Sequence, residues 1–165
     1  LPIISIRIFN AYGIRFKTNG AYGSVIGVFL RQKLSNYPLT ICGNGNQRRD
    51  YIYITDVIKA FFLASKSRHR NKIYNLGYGS PNTINELAKL ISNKFKKIPY
   101  RKGEPFVTHA DILKIKKELK WKPEVSFKQG MKIVMQNIDK WKTAPLWTSK
   151  NIKYYTKNWT KYIKS

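Results

Sequence analysis

The chain has 165 residues, 42% of them hydrophobic, which suits one domain with a packed core and argues against global disorder. Lys+Arg number 32 against 8 Asp+Glu, a formal net charge of +24, and the single cysteine, Cys42, excludes an internal disulfide and a cysteine zinc cluster. No window approaches the roughly 20 apolar residues of a membrane span, and the opening LPIISIRIF has neither a basic n-region nor a small-residue cleavage site, so the cytoplasm is the default compartment.

Residues 3–9, IISIRIF, form a short apolar run suited to a strand buried on both faces, as in a parallel sheet. NAYG then turns, and YGSVIGVFLRQKL sets Val25, Phe29, Leu30 and Leu34 on a helical stripe. PLTIC reads as a strand, GNGNQ as a turn, RDYIYI as a strand, DVIKAFFLASK as an apolar helix and KIYNLGYG as a strand and turn. Three capping boxes follow, Thr83 with Glu86, Thr108 with Asp111 and Ser126 with Gln129. In each, the hydroxyl can accept from the third helical N–H while the later side chain reaches back. Behind them run the apolar faces Ile84, Leu87, Ile91 and Phe95; then Ile112, Ile115 and Leu119; then Ile133, Val134, Ile138 and Trp141. Ile152, Tyr155, Trp159 and Tyr162 repeat the spacing in a last segment. Strands alternate with helices in the first half and the second half is mainly helical, so the class is α/β.

Most candidate chemistry is weak. GNGNQR resembles a phosphate loop, but the segment after it reads as a strand, and a phosphate loop needs a helix N-terminus there. His69 and His109 stand apart and make no metal site. There is no GxSxG and no Ser/His/Asp set. NWT at 158–160 matches a glycosylation sequon without consequence in a cytosolic chain. The charge suits a polyanion such as nucleic acid or an acidic membrane face, or else lysines scattered over solvated faces. The runs NKFKKIPYRKG and LKIKKELKWKP, at helix-surface spacing, favour the second. KYYTKNWTKYIK could stack single-stranded bases on Tyr155 and Trp159, or dock as a helix. The arginines are more specific. Arg7, Arg15, Arg49 and Arg101 each lie beside a turn or strand end, where a guanidinium fork fits phosphate oxygens in the crevice of an α/β sheet. A diphosphate ligand is the reading they support.

Four segments carry a family resemblance. SIRIFNAYGIR resembles (L/S)RxFNxYGPR. LTICGNGNQRRDYIYITDV resembles LxVxGdGxQxRDFxYVxDV. IYNLGYGSPNTINELAKLI resembles NxGxGxxxSxxELA. RKGEPFVTHADILKIKKELKWKPEVSFKQGM resembles RxGExxxTxADxxKxxxxLGWxPxxxxxxGL. In this order and spacing they are similar to the C-terminal half of the extended short-chain dehydrogenase/reductases, the NAD-dependent nucleotide-sugar epimerases and dehydratases. The resemblance implies the last strands of a Rossmann-type parallel sheet with a smaller, mainly helical substrate-binding region. Residues 1–12 and 50–78 would belong to the NAD-binding domain, and 13–49 and 79–165 to the nucleotide-sugar domain. It implies that Asn10 contacts the sugar-nucleotide, that Thr40 and Cys42 meet the base edge through backbone groups, and that Arg49 and Arg101 hold the diphosphate. Glu104 would take the ribose hydroxyls, and Gly23 and Ser24 would contact substrate by backbone. Phe9, Asn10 and Ala11 would lie where the chain passes the nicotinamide.

Arg48 fills a slot usually uncharged and reads as surface, and Asp56 would serve the open N–H groups of the helix it begins. Eight acids leave few partners for Arg49 and Arg101, which favours an external anion. Ile14 stands where the family has proline, and Lys120 where LGW has glycine. GxxGxxG and YxxxK, which seat NAD and transfer the proton in the family, do not occur, and the chain does not begin with Met. The expectation is a C-terminal part whose front half is absent. Its leading assignment is UDP-sugar 4-epimerase, with NAD in the complete enzyme and a homodimer in the complete family member. Alone it would be inactive, bind NAD poorly and expose an apolar sheet edge. The alternative is a basic module for single-stranded nucleic acid; a lysine-held peripheral membrane module would need a stronger amphipathic helix than residues 151–163 offer.

Overall fold

A computed structural model describes residues 2–15, 24–101 and 103–154. In chain order the elements are β1 (Ile4–Ile8), β2 (Asn10–Tyr12), α1 (Val25–Leu34), β3 (Leu39–Cys42), β4 (Arg48–Arg49), β5 (Tyr51–Tyr53) and α2 (Ile54–Lys66). There follow β6 (Lys72–Leu76), β7 (Asn82–Thr83), α3 (Ile84–Ile91), β8 (Phe95–Ile98), α4 (Leu113–Leu119), α5 (Phe127–Gln136) and a 3-10 turn (Ile138–Trp141). The fold is α/β, with parallel strand pairs and helices. The chain forms two compact units, one from Leu1–Gly13, Arg48–Asn82 and Val107–Lys132, the other from Ile14–Gln47, Thr83–Phe106 and Ile133–Ser165.

In the first unit β1 runs parallel to β6, from Ile4 opposite Lys72 to Ile8 opposite Leu76. The chain then changes partner. Phe9 donates its N–H to the Leu76 carbonyl, Asn10 donates to the Asp50 carbonyl, and β2 continues parallel to β5 with Asn10 opposite Tyr51. The core beside these strands joins Ile52, Val57, Ala60, Tyr74 and Leu76 to Ile112, Ile115, Leu119 and Trp121. Asp56 is buried in the first turn of α2, yet, against the expectation from sequence, its carboxylate does not serve that helix. It accepts from the backbone N–H groups of Glu124 and Val125 at 3.1 Å each, and the Trp121 indole donates to its carbonyl. β1 is not buried on both faces: its burial alternates weakly, and Ile3, Ile8 and Ile73 are exposed, as are Ile58, Phe61 and Phe62 along α2.

In the second unit β3 runs parallel to β8, with Cys42 opposite Ile98. α1 buries Ile26, Phe29 and Leu30, and also Gln32, whose amide donates to Thr40 Oγ1 at 2.8 Å and accepts from the Thr40 N–H at 3.1 Å. Gly43 and Gly45 take positive φ, +60° and +79°, so the GNGNQ turn needs glycine at both places. It feeds β4, a strand, as expected.

Two of the three capping boxes form. Thr83 and Glu86 exchange both bonds at the start of α3, and Ser126 and Gln129 do the same before α5. The Thr108 box does not. Thr108 turns to other partners, and α4 begins at Leu113, whose N–H is taken by Asp111. Phe95 is likewise not on the α3 face. That helix ends at Ile91, and Phe95 opens β8 with its ring exposed. Lys120, in the slot where the resembled motif has glycine, ends α4 in the left-handed region at φ 51°.

Candidate functional site

Two clusters collect the candidate residues, one in each unit. In the first, Asn10 and Arg49 lie near the carboxyl ends of β1 and β6, where ligands bind in open α/β sheets. Arg49 is buried, with only 8% of its surface exposed, and its guanidinium donates to the Arg48 carbonyl at 2.9 Å. It is therefore not an exposed surface cation. Phe9 and Ala11 are half-buried against the core, and Asn10 between them is exposed.

Asp50, which sequence reasoning passed over, organises this end of the unit. It is fully buried, and its carboxylate accepts from Tyr78 N–H at 2.7 Å, from Gly79 N–H at 3.0 and 3.1 Å and from Ala110 N–H at 2.9 Å. One carboxylate thus ties the loop after β6 to the segment before α4. Gly77 permits the approach: a Cβ there would lie 2.6 Å from the Ala110 methyl and 2.7 Å from Asp50 Oδ2. Thr108, expected to be a helix cap, instead accepts from Asp50 N–H at 3.4 Å and donates its hydroxyl to Asn10 Oδ1 at 2.8 Å. The signal for Asp50 was present, since a carboxylate leading directly into an apolar strand demands buried donors.

In the second unit, Thr40 and Cys42 sit on β3, and Arg101 and Glu104 on the turn after β8. Burial pushes the Cys42 thiol above its ordinary pKa; the Arg101 guanidinium beside it pulls it back, and Glu104 pushes it up. Cys42, Arg101 and Glu104 are therefore neighbours. The Tyr100 hydroxyl donates to the Glu104 carbonyl at 2.8 Å and fixes the turn. The buried Gln47 amide donates to the Cys42 carbonyl at 2.9 Å, and the Thr40 N–H is held by Gln32. Ser24 stands at the N-cap of α1 with no side-chain cap bond. Gly23 lies outside the described residues, as do Tyr155, Trp159 and Tyr162.

No three His, Cys, Asp or Glu side chains are placed to hold a metal ion among the described residues. Nor is any helix among them long and apolar enough to cross a membrane. The GNGNQ turn runs into a strand and offers no helix N-terminus for a dinucleotide pyrophosphate.

Residues 1–77 match the profile of the NAD dependent epimerase/dehydratase family. The UDP-N-acetyl-alpha-D-glucosaminuronate decarboxylase of Bacillus cytotoxicus is 32% identical over 148 residues, covering 82% of this chain and 46% of that protein. The dTDP-4-dehydro-6-deoxyglucose reductase of Escherichia coli is 35% identical over 141 residues, covering 82% and 44%. Among solved structures, UDP-glucose 4-epimerase of Thermotoga maritima, crystallised with UDP-glucose, superposes with a TM-score of 0.78 at 32% identity, covering 85% of this chain and 47% of that one. The chain spans less than half the length of each of these relatives. By its motifs, its fold and these likenesses, the chain belongs to the NAD dependent epimerase/dehydratase family.

Proposed function

We propose that this chain binds a nucleoside diphosphate sugar, with a UDP-sugar favoured, as the substrate-binding part of an NAD-dependent epimerase or dehydratase. A 4-epimerase is the leading assignment. The observation that carries this is the convergence of Cys42, Arg101 and Glu104 at the ends of β3 and β8. They supply a strand edge for a base, a guanidinium for phosphate oxygens and a carboxylate for ribose hydroxyls. In the first unit the buried Arg49 offers a guanidinium of its own, and the relatives named above act on nucleotide sugars. In this reading NAD serves the complete enzyme, which is a cytoplasmic homodimer. The chain alone has no turnover, because the sequence contains no YxxxK to move the proton.

Calorimetric titration with UDP, UDP-glucose and GDP-mannose at two salt concentrations tests the proposal, on the wild type, Arg49→Ala and Arg101→Ala. Saturable UDP binding, weakened in both variants, is expected. Failure to bind any nucleotide while binding single-stranded oligonucleotides would overturn it.

A further inference from the structure

Asn10 is exposed, and a free asparagine amide can present either its oxygen or its nitrogen to a ligand. Here the choice is made by Thr108. The Asp50 N–H points into the Thr108 hydroxyl oxygen at 3.4 Å, and the hydroxyl's own hydrogen goes to Asn10 at 2.8 Å. A donor there requires the oxygen end of the carboxamide, so Oδ1 faces Thr108 and the Nδ2 hydrogens face away. Both residues are anchored by backbone bonds, Asn10 N–H to the Asp50 carbonyl at 3.2 Å and Thr108 N–H to the Arg48 carbonyl at 3.0 Å. Among the described residues no acceptor takes the Nδ2 hydrogens. The Asp50 carboxylate, the nearest negative charge in sequence, is engaged by Tyr78, Gly79 and Ala110.

We infer that Thr108 is a positioning residue that locks the Asn10 carboxamide with its two N–H donors outward, so that this position recognises acceptor oxygens, those of a nucleoside diphosphate, and rejects donors. The inference rests on the nucleotide-sugar reading of the site for its ligand, and on geometry alone for the locking. Without the hydroxyl the amide can flip and offer Oδ1, which repels a phosphate oxygen.

The test uses the whole chain, as wild type, Thr108→Val and Thr108→Ser. In 15N spectra, with the Asn10 side-chain pair identified by its loss in Asn10→Ala, that pair is ordered in wild type. It loses order in Thr108→Val and regains it in Thr108→Ser, while backbone amide dispersion is unchanged. In calorimetry, Thr108→Val weakens UDP-glucose about tenfold, the scale of one hydrogen bond to a charged group. Uridine, which has no phosphate, binds all three forms alike. An Asn10 pair equally ordered in Thr108→Val would overturn the locking. Undiminished UDP-glucose affinity in Thr108→Val would overturn the role in recognition. A wild type that binds no UDP-glucose would sink the nucleotide-sugar reading and the diphosphate as the ligand, and the spectra would still decide the locking.

Discussion

Replacing Asp50 should destabilise the first unit more than any neighbouring polar substitution. Its carboxylate takes three backbone donors, Tyr78, Gly79 and Ala110, at 2.7 to 3.1 Å, and it is fully buried. In Asp50→Asn the oxygen can keep two of the three donors, but the new NH₂ meets the third donor head-on. One lost charge-assisted bond with a buried N–H left unsatisfied costs about 2–4 kcal/mol. In Asp50→Ala all three donors lose their acceptor, which raises the cost to roughly 4–6 kcal/mol, a large fraction of the 5–15 kcal/mol available to a domain. Urea unfolding gives the totals. Native-state hydrogen exchange localises them, because the Ala110 amide should exchange far faster in Asp50→Asn, and the Tyr78, Gly79 and Ala110 amides all faster in Asp50→Ala, while amides of β3 keep their protection. An Asp50→Asn protein within about 0.5 kcal/mol of wild type, the scatter of an ordinary surface change, would refute this account of the carboxylate.

Gly130→Ala reverses the usual helix trend. An alanine gains about 1 kcal/mol over glycine inside a helix, but here the added Cβ runs into the Tyr12 hydroxyl and lies 2.9 Å from the Tyr53 ring. A melting temperature lowered rather than raised is expected. Lys120→Gly should stabilise by about 0.5–1 kcal/mol, because Lys120 holds φ 51° at the end of α4 and glycine bears that conformation without strain; the denaturation midpoint reads it. The Tyr74–Glu118 pair should shape both pH limbs. The Tyr74 hydroxyl donates to Glu118 at 2.8 Å, and burial first, then that bond, push the tyrosine from 10.0 to about 12. Its contribution is complete below about pH 10 and lost as pH rises through about 12. Glu118 is lowered, chiefly by the Tyr74 bond, so its contribution holds above the ordinary 4.5 and is lost as pH falls through the depressed value. Urea midpoints across pH should fall less steeply at both ends in Tyr74→Phe, and unchanged limbs would remove the pair from the account.

The α/β class was readable because the apolar runs have clear periods, and the Thr83 and Ser126 boxes were readable because their four residues are local. What failed was non-local. Thr108 satisfies the capping pattern by sequence, but its hydroxyl goes to a residue 98 positions away, and no window centred on it contains Asn10. Asp56 was assigned to its own helix for the same reason, while its acceptors serve Glu124 and Val125. Phe95 continued a helical spacing past Ile91, yet Ser92 and Asn93 break the helix and the Lys94 N–H turns back to the Ser92 hydroxyl. At the site, Cys42, Arg101 and Glu104 came from motif resemblance. Asp50, the residue that holds the neighbouring loops, drew no notice because an aspartate after two arginines reads as charge patterning.

The first unit is stitched from three stretches of chain, and this sets an order of events during synthesis. β1 is made before its partner, Lys72–Leu76, and Asn10 meets its orienting hydroxyl only when Thr108 is made. Until Val107–Lys132 has left the ribosome, Asp50 lacks one of its donors and the apolar face of Ile52, Tyr74 and Leu76 lacks Ile115 and Trp121. Such a unit closes late and slowly, since its contacts span most of the chain. The nascent protein would therefore pass through a long interval in which chaperone capture competes with folding, and slowing translation near Val107 should prolong that interval.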